Sequence, residues 1–399
     1  MDATLPDPEP HATFHAICDQ VKPIMQAAWI DAGYTAPNNV TYPWLWLWDS
    51  CFHSLIWHTL GRNDRAITEL RSVFANQNAD GFVPHMGYQL DPQRPVELWG
   101  REGCSSITQP PMYGHAIAEL NRAGVAVPAH LVDNAAAGLR FLLEVRQRDA
   151  SGLLTVVHPW ETGCDDSPRW DHFCPGGFEL ARWRAQKMAL LDTITFSNRG
   201  APTANHAFGA APVSFSALTA FNGRELATIT NDRTMREAAD ELAQSVAARW
   251  DPQLATWVDA GPAEATSGRV RTADALTALL VVDEPNQRRS AFAALVDPDA
   301  YGGRYGPRGV HAGEAVYDPA GYWRGPVWPQ LAYLLCVAAE RESGRGRGVD
   351  SIVRGRTIDG ARRSGFAEYW DGDTGIGGGA VPQSWTGLAV VLAAAATSG

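Results

Sequence analysis

Trp44-Leu45-Trp46-Leu47-Trp48-Asp49-Ser50-Cys51-Phe52-His53-Ser54-Leu55-Ile56-Trp57-His58-Thr59-Leu60 sets two periodicities end to end. Through Trp48 the large residues alternate, the two-residue period of a strand. From Phe52 the apolar positions are Phe52, Leu55, Ile56 and Leu60, the three- and four-residue steps of a helix face. Asp49-Ser50 stands at the junction, where an acceptor side chain suits a helix start. The alternating run reads as an extended entry into a helix opening at Asp49, and no sheet is built on it.

The helix period recurs outward along the chain. It returns in Ile67, Leu70, Val73, Phe74; in Leu139, Leu142, Leu143; in Met235, Ala238, Leu242, Val246; and in Leu331, Leu334, Leu335, Ala338. Asp64 precedes the first of these windows, and Pro128 suits a first helical turn. Gly/Pro/aromatic-rich links at 80–111, 152–177, 199–213, 299–329 and 371–384 alternate with shorter connections. About a dozen helices with long and short links in turn suit helix pairs closed into a ring, with the long loops gathered at one end. An elongated solenoid would give similar windows, but no fixed-period repeat is visible. The fold expected from this pattern is all-α: helix pairs closed into a ring, with long loops gathered at one end.

No Ser/Gly linker, charge block or low-complexity tract divides the 399 residues, so residues 1–399 read as one domain. The net charge of −11 disfavours general nucleic-acid or anionic-membrane binding, and lysine occurs only at Lys22 and Lys187. Met1–Pro10 lacks the basic region and apolar core of a signal peptide, which predicts a cytoplasmic protein. Leu388–Ala396, the most apolar stretch, is too short to span a bilayer and reads as a buried terminal helix. The six cysteines show no zinc or Cys-x-x-Cys spacing and read as free thiols.

Two distant segments share a composition suited to sugars. Trp160-Glu161-Thr162-Gly163-Cys164-Asp165-Asp166-Ser167-Pro168-Arg169-Trp170-Asp171 and Phe366-Ala367-Glu368-Tyr369-Trp370-Asp371-Gly372-Asp373 both hold carboxylates among aromatic, Gly and Pro residues. Aromatic faces pack on a pyranose, carboxylates bind its hydroxyls, and a carboxyl pair supplies acid and base. Asp165 is the expected general acid, with Asp166 beside it raising its proton affinity by like-charge repulsion. Glu368 is the expected general base; each also has a plain reading as a solvated loop carboxylate. Tyr42, Trp46, Trp48 and Asp49 form a candidate glycone platform, and Trp323 and Trp328 a facing wall. A buried core role competes for each Trp, but the 15 Trp cluster beside Gly and Pro rather than at helical spacing.

Other chemistries fit poorly. Asp165-Asp166 is followed by Asp171 at the wrong helical step for a shared Mg²⁺, with Pro168 between them. His85, His115, His158, His172 and His206 form no zinc motif, and Gly375-Ile376-Gly377-Gly378-Gly379 lacks the strand and Lys-Ser/Thr of a phosphate loop.

Six blocks, in order, resemble glycoside hydrolase family 63. They are Tyr42–Ser50, Gln77–His85, His158–Gly163, Cys164–Asp171, Tyr322–Trp328 and Phe366–Tyr369, within about residues 40–390. The likeness is to its bacterial branch of mannosylglycerate and glucosylglycerate hydrolases. The resemblance implies an (α/α)6 barrel that inverts at the anomeric carbon without cofactor or metal, with Asp165 as acid and Glu368 as base. It also implicates Tyr42, Trp46, Trp48, Asp49, Gln109, Trp160, Arg199, Tyr322, Trp323, Trp328 and Gln383 in substrate binding. Asp166 departs from a common Asn and Thr162 from a common Ser, which touches specificity rather than chemistry. Set against the resemblance, no N-terminal β-sandwich of the kind larger relatives carry is expected within these 399 residues.

The expected function is therefore an inverting α-glycosidase of a small α-glucosyl or α-mannosyl compound with a glycerate-type aglycone. Arg199, in the turn-rich Phe196-Ser197-Asn198-Arg199-Gly200-Ala201-Pro202, is the candidate grip on the glycerate carboxylate. Two alternatives stand beside it: an α-glucosidase or trehalase-like hydrolase of neutral disaccharides, and a non-catalytic sugar-binding protein. The expected partner is a small-molecule glycoside, with no nucleic acid and no membrane; the sequence leaves glucose or mannose, and oligomeric state, open.

Overall fold

A computed structural model describes residues 10–174, 176–261, 269–342 and 348–397. The expectation for the N-terminal segment falls on residues 1–9, outside the described residues. The α-helices are α1 (Pro10–Ala28), α2 (Leu47–Thr59), α3 (Asn63–Val73), α4 (Val96–Trp99), α5 (Tyr113–Arg122), α6 (Ala129–Arg140), α7 (Leu180–Leu191), α8 (Val213–Thr230), α9 (Arg233–Ala247), α10 (Pro285–Val296), α11 (Pro329–Glu340), α12 (Val349–Arg363) and α13 (Leu388–Ala395). A 3₁₀ helix covers Ala273–Leu280, and α6 ends in a π-turn at Phe141–Val145.

Apolar periodicity sorts these elements into two rings. α2, α5, α8, the 3₁₀ helix, α11 and α13 pack in sequence, and α13 returns to α2, closing an inner ring. Its members are buried along most of their length, and in α11 every residue from Pro329 to Ala339 is buried. Outside lie α1, α3, α6, α9, α10 and α12. These are amphipathic, as in α9, where Met235, Ala239, Leu242, Ala243 and Val246 face inward. The chain alternates outer and inner six times, so the molecule is an (α/α)6 barrel.

Alternation fixes where a site can form. Links from an inner to the next outer element are short: 60–62, 123–128, 231–232, 281–284 and 341–348. Links entering the inner elements are long: 29–46, 74–112, 141–212, 248–272, 297–328 and 364–387. The long links share one mouth of the barrel, where backbone freed from helix is available for binding. α4, α7 and several two-stranded antiparallel ladders are folded within them.

Local corrections follow. The alternating Trp run contributes only Leu45–Trp46, paired with Met86–Gly87, and α2 opens at Leu47 rather than Asp49. The cap position is Trp46, so Asp49 lies inside the first turn. Pro128 sits at the N-cap of α6, one place before the first turn. Leu388–Ala395 is the buried terminal helix expected, and it is the sixth inner element. The six cysteines are free thiols. Among the described residues no helix is long and apolar enough to cross a membrane.

Candidate active site

The mouth of the barrel holds two connected spaces. The inner pocket is lined by Tyr42, Trp46, Trp48, Asp49, Gln109, Asp165, Tyr322, Trp323, Glu368, Gln383 and Trp385, with Pro37 and Gly163. Ten of these residues are the sequence-selected ones, brought together from five of the six long links and the start of α2. The outer cavity shares Tyr42, Trp46, Gln109, Asp165, Tyr322 and Glu368 with it, and adds Trp160, Trp99, Tyr88 and one face of α7. Both carboxylates therefore stand at the junction of the two spaces.

The floor of the inner pocket comes from the entry to α2. Trp48 and Asp49 are buried, 2 % and 3 % exposed, in its first turn. Gln109 accepts from the Trp48 amide at 3.4 Å. Asp49 is held well above the usual carboxylate range by burial, reinforced by the charges of Glu368 and Glu69. The indole nitrogens of Trp46 and Trp323 and the Gln383 Oε1 are buried without a protein partner. Such atoms are available to ligand hydroxyls, since buried polar groups are otherwise nearly always bonded.

The segment carrying Asp165 is clamped from several sides. Trp170 donates its indole N–H to the Cys164 carbonyl at 2.8 Å, and Trp183 donates to the Asp165 carbonyl at 3.0 Å. Lys187 pairs with Asp166 at 2.5 Å. Arg169, 1 % exposed, pairs with Asp259 at 2.8 Å and Asp274 at 2.6 Å. Gly163, at φ 72°, brings backbone so close to Trp48 that a Cβ would lie 2.4 Å from the ring. Burial raises the Asp165 carboxyl to about 7, helped by Asp166 and Glu368 and opposed by Lys187. The like-charge effect expected of Asp166 is thus present but smaller than burial.

Glu368 sits differently. Tyr42 donates to its Oε1 at 3.2 Å, Tyr322 to the same oxygen at 3.1 Å, and the Ala380 amide to Oε2 at 2.9 Å. Burial still raises its pKa, but all three donors favour the ionised form. Its backbone is held by Trp385, whose indole N–H donates to the Glu368 carbonyl at 3.1 Å. Two residues before it, Phe366 takes a left-handed φ of 59°, re-aiming the chain after α12.

Two expected binding residues lie elsewhere. Trp328 lines neither space; it is 1 % exposed and stacks behind Trp323, ring centroids 3.5 Å apart and planes within 2°. Arg199 is exposed at the tip of the hairpin pairing Ile194–Phe196 with Pro202–Asn205, and it too lines neither space. Trp160 faces the outer cavity, not the inner pocket. Sequence reasoning passed over Trp385, although it sits in a Trp-bearing link like the others. It also passed over Lys187, whose signal was rarity in a chain with two lysines.

A closed ring of helix pairs with two carboxyls, unequally supplied with hydrogen-bond donors, in an aromatic mouth is the arrangement of a glycoside hydrolase. Residues 42–386 match the mannosylglycerate hydrolase MGH1-like glycoside hydrolase domain, and the chain belongs to that family, within the inverting α-glycosidases of glycoside hydrolase family 63. It is 27% identical to the glucosylglycerate hydrolase of Mycolicibacterium hassiacum, across 90% of this chain and 93% of that protein. It is 26% identical to the mannosylglycerate hydrolase of Thermus thermophilus, across 88% and 94%. The crystal structure of a family 63 mannosylglycerate hydrolase from Thermus thermophilus, in complex with Tris and D-glycerate, superposes with a TM-score of 0.80. It covers 94% of this chain and 99% of that one at 23% identity, showing the same fold.

Proposed function

We propose that this enzyme hydrolyses glucosylglycerate or mannosylglycerate with inversion, Asp165 acting as general acid and Glu368 as general base. The observation that carries the assignment is the asymmetry of the two carboxyls. Glu368 accepts from two phenols and a backbone amide, an arrangement that favours its ionised form against burial and aims it. Asp165 is raised to about 7, so a substantial fraction still carries its proton as neutral pH is approached. An acid and a base are so separated by environment, as inverting hydrolysis requires.

The glycone occupies the inner pocket, where Trp48 supports the ring and Asp49, Gln109 and Gln383 meet hydroxyls. Asp165 protonates the glycosidic oxygen at the junction. Glu368 takes a proton from water, which attacks the anomeric carbon as the aglycone departs into the outer cavity. A pocket floored by buried side chains suits a terminal sugar of a small substrate. The glycerate aglycone rests on the activities named for the two relatives.

The test is product analysis by NMR on a panel of glucosylglycerate, mannosylglycerate, trehalose, kojibiose and maltose. β-Sugar appears first from a glycerate-bearing α-glycoside. Initial α-anomer overturns the inverting roles, and preference for trehalose overturns the acidic aglycone.

A further inference from the structure

The outer cavity, on the leaving-group side of Asp165, is lined by three basic side chains, one Lys and two Arg, and their commitments differ. Lys187 is paired with Asp166 at 2.5 Å. Arg324 is bound through both Nη atoms to Asp171, each at 2.8 Å, and lies over the Phe178 ring. Arg184 is exposed and lines the cavity, and among the described residues no carboxylate pairs with it. Leu180, Arg184, Lys187 and Met188 repeat at helical spacing, so one face of α7 forms this wall. The helix is fixed relative to the acid, because Trp183, next to Arg184, donates to the Asp165 carbonyl at 3.0 Å.

We infer that Arg184 is the specificity-determining residue for an acidic aglycone: its guanidinium receives the carboxylate of the leaving group in the outer cavity. This rests on the glycerate reading above and replaces Arg199 as the cation that reads it. A guanidinium offers a planar fork matched to a carboxylate, and one without an internal partner has its donors free for substrate. The cavity also holds Asp318, whose Oδ1 accepts from the Ala320 amide. Asp318 lines the wall in addition to Asp165, Asp166 and Glu368, and a further acid there penalises a misplaced anion, so the carboxylate is steered toward α7.

The experiment compares kcat/KM for glucosylglycerate with that for glucosylglycerol, its uncharged counterpart, in the wild type, Arg184→Gln, Arg184→Lys and Arg199→Gln. Arg184 is exposed, so its variants fold. In Arg184→Gln the glycerate-to-glycerol ratio falls about tenfold or more, chiefly through KM, and Arg184→Lys restores part of it. Arg199→Gln leaves the ratio within about twofold of wild type, and salt lowers the ratio in the wild type more than in Arg184→Gln. An unchanged ratio in Arg184→Gln, or a collapse confined to Arg199→Gln, overturns the inference and leaves the glycerate reading intact. A wild type that does not prefer glucosylglycerate to glucosylglycerol overturns both.

Discussion

Asp165 and Glu368 are both lifted by burial, but only Glu368 is offered two phenolic and one amide donor. The kcat/KM profile is therefore a bell. As pH rises through about 7, Asp165 loses the proton it must give, and the rate falls. On the acid side the rate falls as Glu368 is protonated, above the ordinary glutamate value because its pKa is raised. Asp165→Asn and Glu368→Gln each lower turnover by about 10²–10⁴-fold, the contribution of a positioned acid or base. The Asn variant has a further signature. A carboxyl whose folded pKa is raised favours the fold at low pH, and that contribution is lost as pH rises through the folded value. Asp165→Asn consequently melts higher relative to wild type at pH 8 than at pH 5. Asp49→Ala lowers kcat/KM by about 10²-fold or more, since a glycone contact is strengthened in the transition state. A helix cap would instead give a lower Tm with kcat/KM intact; Asp49 lies inside the turn that Trp46 caps.

At the scale of an element, the acid segment is positioned by contact with α2 and α7 rather than by its own turn propensity. Gly163 carries the contact with α2: its φ is 72°, and a Cβ would sit 2.4 Å from Trp48 Cζ2. Gly163→Ala forces either the acid segment or the Trp48 plate to move. It costs about 1–3 kcal/mol of stability and lowers kcat, read by thermal melting and steady-state kinetics. Loss of Tm with unchanged kcat would show that the segment shifts without moving Asp165. The α2 entry shows how far local pattern reaches. Its alternation correctly indicates extended backbone at Leu45–Trp46, yet the helix begins at Leu47, because pairing to Met86–Gly87 ends the strand there. That partner lies in another link and leaves no mark in the local period.

For the whole molecule, closure of the inner ring is the property that makes a mouth. Glu225 of α8 accepts from His115 at 3.2 Å and Arg341 at 3.1 Å, and pairs with Arg122 at 2.5 Å, tying α8 to α5 and α11. Arg122 and Arg341 lie at the C-terminal ends of their helices, away from the links that build the pocket. Burial works against ionisation of Glu225, but the bonds from His115 and Arg341 outweigh it and hold its pKa far below the usual value. A depressed carboxylate contributes stability above its unfolded value, near 4.5, and loses it as pH falls below. Glu225→Gln lowers stability by about 1–3 kcal/mol at pH 7, the two guanidiniums being partly solvated. The deficit shrinks toward pH 3, and selectivity among glycosides is unchanged. A pH-independent deficit in denaturant titrations would remove the electrostatic account.

What the sequence determined by itself was whatever repeats locally. Apolar steps of three and four residues marked the helices, and long aromatic-rich links between short ones marked a ring with one functional mouth. Carboxylates set among Trp, Gly and Pro marked Asp165 and Glu368, which line one pocket. Tertiary structure alone decided which loop side chains enter that pocket. Trp323 and Trp328 look equivalent in sequence, but stacking turns one inward and places the other behind it. Arg199 has a loop suited to projecting a side chain, yet its hairpin carries it to the surface, while α7 brings Arg184 to the cavity wall. The reason is range. Periodicity reports the few residues of a turn, whereas the direction of a loop side chain is set by partners as distant as Tyr42 and Glu368, 326 residues apart, which meet only when the ring closes.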